Sequence, residues 1–248
     1  MPIIAFLSFF QANMLPKSCL FSNFAHLYDQ EAAASSMLKQ MRHFIICILA
    51  VMTAANVEAQ KTMRQLWVDM PDTIVPYLNN TKRTEMVDFY DMGVRAETTN
   101  RLASVTVLDT LSSNFAGITL NEAASMQLAL LLSDSGDSIL CMVRTFKGEA
   151  PESSISFYDT KWQPQETSNF IDCINTKQLM EKPDTMDVDA YDRLTALIDP
   201  VMVEAVFLPE ENAIAFQLST PLVTREERQR LETILKQRKV KWNGKRFN

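Results

Sequence analysis

Histidine and glycine are both scarce, and each scarcity excludes chemistry. The chain of 248 residues holds two histidines, His26 and His43, both inside the first sixty positions. If that segment is removed on export, no imidazole remains. Ser-His-Asp and Cys-His nucleophiles are then excluded, as are the usual zinc and iron ligand sets. The five glycines, Gly93, Gly117, Gly136, Gly148 and Gly244, stand singly and far apart. Neither a G-x-G-x-x-G turn nor a P-loop can be built from them, so nucleotide-dependent chemistry is not expected and no cofactor is implied. A positive balance is missing too. The net charge is −6, which argues against the basic footprint that nonspecific nucleic-acid binding needs. The one locally basic stretch, Arg225 to Arg246, is interleaved with Glu226, Glu227 and Glu232 and reads as a solvated helix face. Beyond residue 60 no apolar run approaches the roughly 20 residues of a membrane span.

What is present near the start is an export pattern. Met41-Arg42-His43 is a short positive segment, and Phe44 to Met52 is an apolar run. Val57-Glu58-Ala59 then places small or apolar residues three and one before a cut, with Gln60 following. These are the parts of a secretory signal peptide. Residues 41–59 are therefore expected to be the signal, with cleavage between Ala59 and Gln60. Residues 1–40 are expected to be an upstream non-native extension, because a signal peptide acts at the start of a nascent chain. No cysteine sits at position 60, so a lipid-anchored exit is not supported. The expected location is periplasmic or secreted. Removing 1–59 leaves the charge unchanged, since Lys17, Lys39 and Arg42 balance Asp29, Glu31 and Glu58.

The remainder divides into an N-terminal α+β half, 60–180, and a C-terminal α+β half, 181–248. Met63, Leu66, Trp67 and Met70 follow helical spacing up to Pro71. A second helix is expected from about Thr73 to Met92, with Pro76 in its first turn and Gly93 as its stop. The period then becomes alternating. Strands are expected around Val105–Leu108 and Phe115–Leu120, followed by the apolar runs Met126–Leu132 and Ile139–Phe146. Ser133-Asp134-Ser135-Gly136-Asp137-Ser138 between these runs has the composition of a turn. Both strands of that hairpin are apolar at nearly every position, so both of their faces should be covered. Ile155, Phe157 and Tyr158 continue the meander toward Trp162. Pro164 opens a helix-compatible segment with Phe170, Ile171 and Ile174, and 181–187 reads as a loop. Val188–Ile198 is a third helix. A second hairpin joins Val201–Leu208 to Ala213–Leu218. A final helix is expected over Thr224–Gln237, with Thr224 and Glu227 as a capping box, and a closing strand over Val240–Phe247. The fold class is α+β: antiparallel sheet with helices packed on one face. Trp162 and Trp242 hold comparable places in the two halves, which suggests two similar halves.

Each candidate site has a plain structural alternative. Asp184, Asp187, Asp189 and Asp192 could bind calcium, but carboxylates at a helix N-terminus also complement its dipole. Asp134 and Asp137 could act as a carboxylate pair, although a β-turn selects Asp regardless. Ser112, Ser113, Ser153 and Ser154 with Lys147 and Lys161 could support Ser-Lys chemistry, but no recognised spacing links them. Cys141 and Cys173 are the thiols that survive the cut. An oxidising compartment permits them to form one disulfide, which would stabilise by roughly 3–4 kcal/mol in the chain-entropy model; two buried free thiols are the alternative. Trp67, Trp162 and Trp242, with Tyr77, Tyr90 and Tyr158, could line a groove for a peptide, glycan or protein, or simply fill the core.

Several phrases in order carry a resemblance: Asp69-Met70-Pro71 with Pro76-Tyr77-Leu78; Asn100-Arg101-Leu102; Ile139-Leu140-Cys141-Met142-Val143; Ser154-Ile155-Ser156-Phe157-Tyr158; and Trp162 with Pro164. Over about residues 61–248 the chain resembles a family of uncharacterised exported proteins from anaerobic Gram-negative gut and oral bacteria, classed as a domain of unknown function. The resemblance implies export and carries over no functional residue. The function expected from the residues is a non-enzymatic binding or interaction protein of the cell envelope, its partner an envelope protein, peptide or glycan. The alternatives are a structural or assembly subunit, an inhibitor of an exported enzyme, or a histidine-independent hydrolase.

Overall fold

The computed structural model describes residues 61–220 and 223–248, which belong to one compact unit, Gln60–Asn248. The expected extension 1–40, the signal 41–59, the cut between Ala59 and Gln60, and both histidines lie outside the described residues.

Helix α1 spans Met63–Asp69. Thr62 caps it: its hydroxyl accepts the Gln65 N–H, and the Gln65 side chain accepts the Thr62 N–H at 3.0 Å. Met63, Leu66 and Trp67 form the buried face, as their spacing predicts. The second helix departs from expectation. Helix α2 begins only at Asn80 and runs to Asp91, capped by the Asn79 side chain on the Lys82 N–H. The reason lies in Arg83, which is 1 % exposed. Its guanidinium takes the carbonyl of Leu78 at 2.6 Å, that of Val68 at 3.2 Å and that of Met70, and meets the Asp72 carboxylate at 3.0 Å. These carbonyls therefore accept from one side chain, and the segment between the helices wraps around it as a series of turns. Gly93, at φ 67°, ends α2 in the left-handed conformation that favours glycine.

Seven strands follow: β1 Glu97–Thr99, β2 Val105–Leu111, β3 Phe115–Asn121, β4 Ala124–Leu132, β5 Ser138–Lys147, β6 Pro151–Asp159 and β7 Pro164–Gln165. They form one antiparallel sheet whose spatial order is the chain order. The β4–β5 hairpin lies near its centre, with Leu130 opposite Leu140. One face, carrying Leu128, Leu140 and Met142, packs with α1, α2 and Trp162. The other, carrying Ala129, Leu131, Cys141, Val143 and Phe157, packs with everything C-terminal to it. A strand buried on both faces must be apolar throughout, which explains the two uninterrupted runs.

The second cover contains a three-stranded antiparallel sheet in the order β10–β9–β8: β8 Met202–Leu208, β9 Ala213–Ser219, β10 Arg238–Lys241. Beside it lie α3 Val188–Thr195 and α4 Arg225–Leu231, which contribute Leu194 and Leu231 to the same core. The α+β antiparallel fold is as expected: helices α1 and α2 pack on one face of the large sheet, and the three-stranded sheet meets the other through β8. The halves are not equivalent, since one holds seven strands and the other three.

The outer edge of β8 is closed by side chains of the large sheet. Ser153 Oγ accepts the Ala205 N–H at 2.9 Å and donates to the Ala205 carbonyl at 3.2 Å. Gln127 accepts the Phe207 N–H at 2.9 Å and donates to the Phe207 carbonyl at 3.2 Å. An exposed edge is a template for unwanted pairing, and these four bonds remove it.

Three boundaries differ from expectation. The 164–180 segment forms β7 and two 3-10 turns, Thr167–Asn169 and Thr176–Leu179, instead of a helix. Helix α4 stops at Leu231, and the chain then returns to bridge Met180 with Leu235. The closing strand stops at Lys241, and Trp242 pairs back onto Phe247 around a turn at Gly244.

Candidate functional site

The ends of β4 and β5 meet three loops around a cleft of about 430 Å³. Its floor is Leu130, Leu131 and Leu132, and its rim includes Lys61, Ser113, Asn114, Asn212 and Trp242. Each wall has a local cause. The Leu130 N–H donates to the Asn114 carbonyl at 2.7 Å, fixing the β2–β3 turn. Asn212 sits at φ 47°, a conformation asparagine tolerates, and closes the β8–β9 turn. The Trp242 indole N–H donates to the Leu132 carbonyl at 2.8 Å, and its backbone N–H donates to the Asn212 carbonyl at 2.8 Å. The indole meets Phe247 edge-on, with ring centroids 5.2 Å apart. Trp242 is thus half-buried and held at both polar ends. Beside it Leu132 is 60 % exposed.

Gly244 makes this rim rigid. The Asp134 N–H and the Ser133 hydroxyl both donate to its carbonyl, at 2.9 and 3.1 Å. At φ 92° any side chain would be strained, and a Cβ would overlap the Asp134 carboxylate. The hairpin turn that composition marked out is therefore docked on the C-terminal turn.

A second depression, of about 300 Å³, lies where the turns before α2 meet β5 and β6. Thr73, Ile74, Met142, Arg144, Ser154, Ser156 and Tyr158 line it. Arg144 donates from Nη2 to the Ile74 carbonyl at 2.9 Å. Its Nε is shielded and has no acceptor, and no ion pair among the described residues includes it.

The other sequence candidates are scattered. Trp67 and Trp162 are core residues, 0 and 5 % exposed, so only Trp242 of the three reaches the cleft. Trp162 donates from its indole to the Leu66 carbonyl at 3.1 Å, and its ring lies 5.4 Å from that of Tyr158. Its backbone at φ 62° is strained for an aromatic residue, a cost offset by burying the indole. Tyr158 lines the second depression, while Tyr77 and Tyr90 pack against the helical core.

Asp184, Asp187, Asp189 and Asp192 do not converge. No group of three or more His, Cys, Asp or Glu among the described residues could hold a metal. Asp187 instead caps α3 by accepting the Asp189 N–H at 3.1 Å. Asp137 accepts from the Ser135 hydroxyl within the turn, and Asp134 donates its backbone N–H to the Gly244 carbonyl with its carboxylate lying against Gly244. Ser112 accepts the Phe115 N–H, and Ser153 serves the β8 edge. Among the described residues no hydrogen bond joins these serines, Ser113 or Ser154 to Lys147 or Lys161. The Cys141–Cys173 disulfide is not formed: Cys141 is buried in β5 and Cys173 is exposed, both as free thiols. Burial pushes the Cys141 thiol far up from its ordinary value.

Sequence reasoning passed over Arg83 and Arg144. Each stands at a position where an apolar residue would suit the pattern, Arg83 three before Met86 and Arg144 two after Met142. A cation on an otherwise apolar face is the signal that was available.

Residues 54–247 match a family described as protein of unknown function (DUF3256). The chain belongs to that family. The match spans both sheets and both arginine positions. A solved structure with the same fold is a domain of an uncharacterized protein from Porphyromonas gingivalis W83, at 19 % identity and a TM-score of 0.65. The likeness covers 75 % of this chain and 98 % of that one, and it supports the fold of the DUF3256 chain alone. No curated protein matches it. No helix among the described residues is long and apolar enough to cross a membrane.

Proposed function

We propose that the chain is an exported binding protein of the cell envelope that engages a peptide or protein partner through the Trp242 cleft, without catalysing a reaction. The observation that carries this reading is the pairing of a half-buried, rigidly held Trp242 with a 60 % exposed Leu132 over an apolar floor. Tryptophan is among the residues that binding hot spots favour, and the exposed leucine beside it adds apolar surface for a partner to cover. Both N–H donors of Trp242 are already satisfied, so a partner would meet its ring face without desolvating an unpaired donor. The signal-like segment 41–59 supports export, and the resemblance to exported proteins of anaerobic Gram-negative bacteria agrees with it.

Two measurements test the reading. Fractionation with N-terminal sequencing should recover a chain beginning at Gln60 outside the cytosol; an untrimmed cytosolic chain refutes export. Capture from envelope extract should retain a partner that Trp242→Ala and Leu132→Ser each release. Equal retention by these variants removes the cleft from the interaction.

A further inference from the structure

We infer that the depression around Arg144 is a second binding site, independent of the Trp242 cleft, and that it takes a small hydroxylated carboxylate of the sugar-acid class. Arg144 lies in the interior of β5, two residues after the buried Met142 and four after Leu140. A guanidinium offers five N–H donors. Here, among the described residues, one bond to a protein acceptor is made, to the Ile74 carbonyl. Arg83, on the same side of the sheet, shows what a structural arginine looks like in this fold: three carbonyls and a carboxylate surround its two Nη groups, although its Nε, like that of Arg144, has no acceptor. Arg144 has one carbonyl and, among the described residues, no carboxylate, although the chain as a whole is acidic. Setting a cation against a packed face without a counter-ion costs desolvation energy. A ligand carboxylate returns that energy through charge-assisted bonds in the fork geometry that arginine presents.

The neighbours narrow the ligand. Cross-strand register puts Ser154 opposite Arg144 and Ser156 opposite Met142. With Thr73 and Tyr158 the lining holds four hydroxyl groups around one cation. Hydroxyls both donate and accept, which suits a ligand whose own hydroxyls do the same. A peptide carboxylate would be matched better by backbone amides or an apolar side-chain pocket, and a dianionic phosphate by more than one cation. A volume of about 300 Å³ fits one sugar ring.

The test is a titration of the isotope-labelled full chain at constant ionic strength, following the Arg144 Nε–H signal and the Ser154 and Ser156 amides by NMR. The probes are glucuronate, acetate, glucose and inorganic phosphate. Glucuronate should shift these signals saturably, and acetate should shift the same signals with affinity about tenfold weaker. Glucose should leave them in place. Arg144→Gln should abolish the response, and Ser156→Ala should weaken glucuronate about threefold to tenfold without changing acetate. If Arg144→Gln fails to fold, Arg144→Lys takes its place, and loss of at least about tenfold in affinity is expected because an ammonium cannot reproduce the fork. No saturable shift with either carboxylate overturns the proposal. So do an equal response to glucose, tighter binding of phosphate, or full binding by the arginine variants.

Discussion

The two faces of the seven-stranded sheet each back an apolar cluster, and the covers over them are held by different polar chemistry. On the helical side one multi-donor group holds the cover together: Arg83 gathers the carbonyls of Val68, Met70 and Leu78 around one guanidinium. On the other side the fastening is spread out. Ser153 and Gln127 each take both backbone groups of a β8 residue, and the Ser219 hydroxyl donates to the Pro151 carbonyl at 2.6 Å. The difference follows from what had to be joined. Turns without a regular hydrogen-bond ladder leave carbonyls that one multi-donor group can collect. A strand edge presents alternating donors and acceptors in a row, which amide and hydroxyl side chains match one residue at a time.

If that contrast is right, the helical side should fail all at once and the sheet side by increments. Arg83→Met should cost the most, about 3–5 kcal/mol in urea unfolding, because it leaves buried carbonyls without donors. Removing its carboxylate partner alone, Asp72→Ala, should cost far less, since that side chain is 55 % exposed and screened. Equal losses from the two variants would mean that the ion pair, not the carbonyl cluster, fastens this side. Next comes Gly244→Ala, expected to cost about 2–3 kcal/mol from backbone strain and the clash with Asp134. It should also move Trp242 fluorescence. Gln127→Ala should cost about 1–2 kcal/mol. Combined with Ser153→Ala the losses should nearly add if the two act as separate stitches; strong coupling would show that β8 is held as a unit.

The smallest expected effect is acid sensitivity at the surface. Lys236 beside Glu181, Lys239 beside Glu211, the Thr224 N–H on Glu227 and Arg64 on Asp91 each hold a carboxyl below its ordinary value. A carboxyl depressed in the folded state contributes stability above its unfolded pKa, about 4. That contribution is lost as pH falls through the folded value. Stability should therefore decline modestly below about pH 5, less so in high salt. A decline that salt leaves unchanged would assign the effect to buried groups instead.

Much of the architecture was legible because hydrophobic period reports it directly. The uninterrupted apolar runs of β4 and β5 announced a doubly covered central hairpin, and Thr224 with Glu227 announced the start of α4. The misplaced start of α2 has one cause: Arg83 reads as a helix-surface residue until the turn that folds over it is seen. The site was less legible still. Trp67, Trp162 and Trp242 are alike as letters, and only tertiary placement sends two inward and one to a rim.

The alternation of helix and strand, the central hairpin and its turn, and the scarcity of imidazole and glycine can all be read from the residues in order, because these depend on local period and on counts. The packed fold sets which face each layer covers, that β8 is closed by Ser153 and Gln127, that Asp184 to Asp192 do not converge, and that Arg144 has no counter-ion among the described residues. Those outcomes depend on where the folded chain brings side chains into hydrogen-bond reach of one another, for β8 across more than fifty residues of sequence, and no local period encodes that distance.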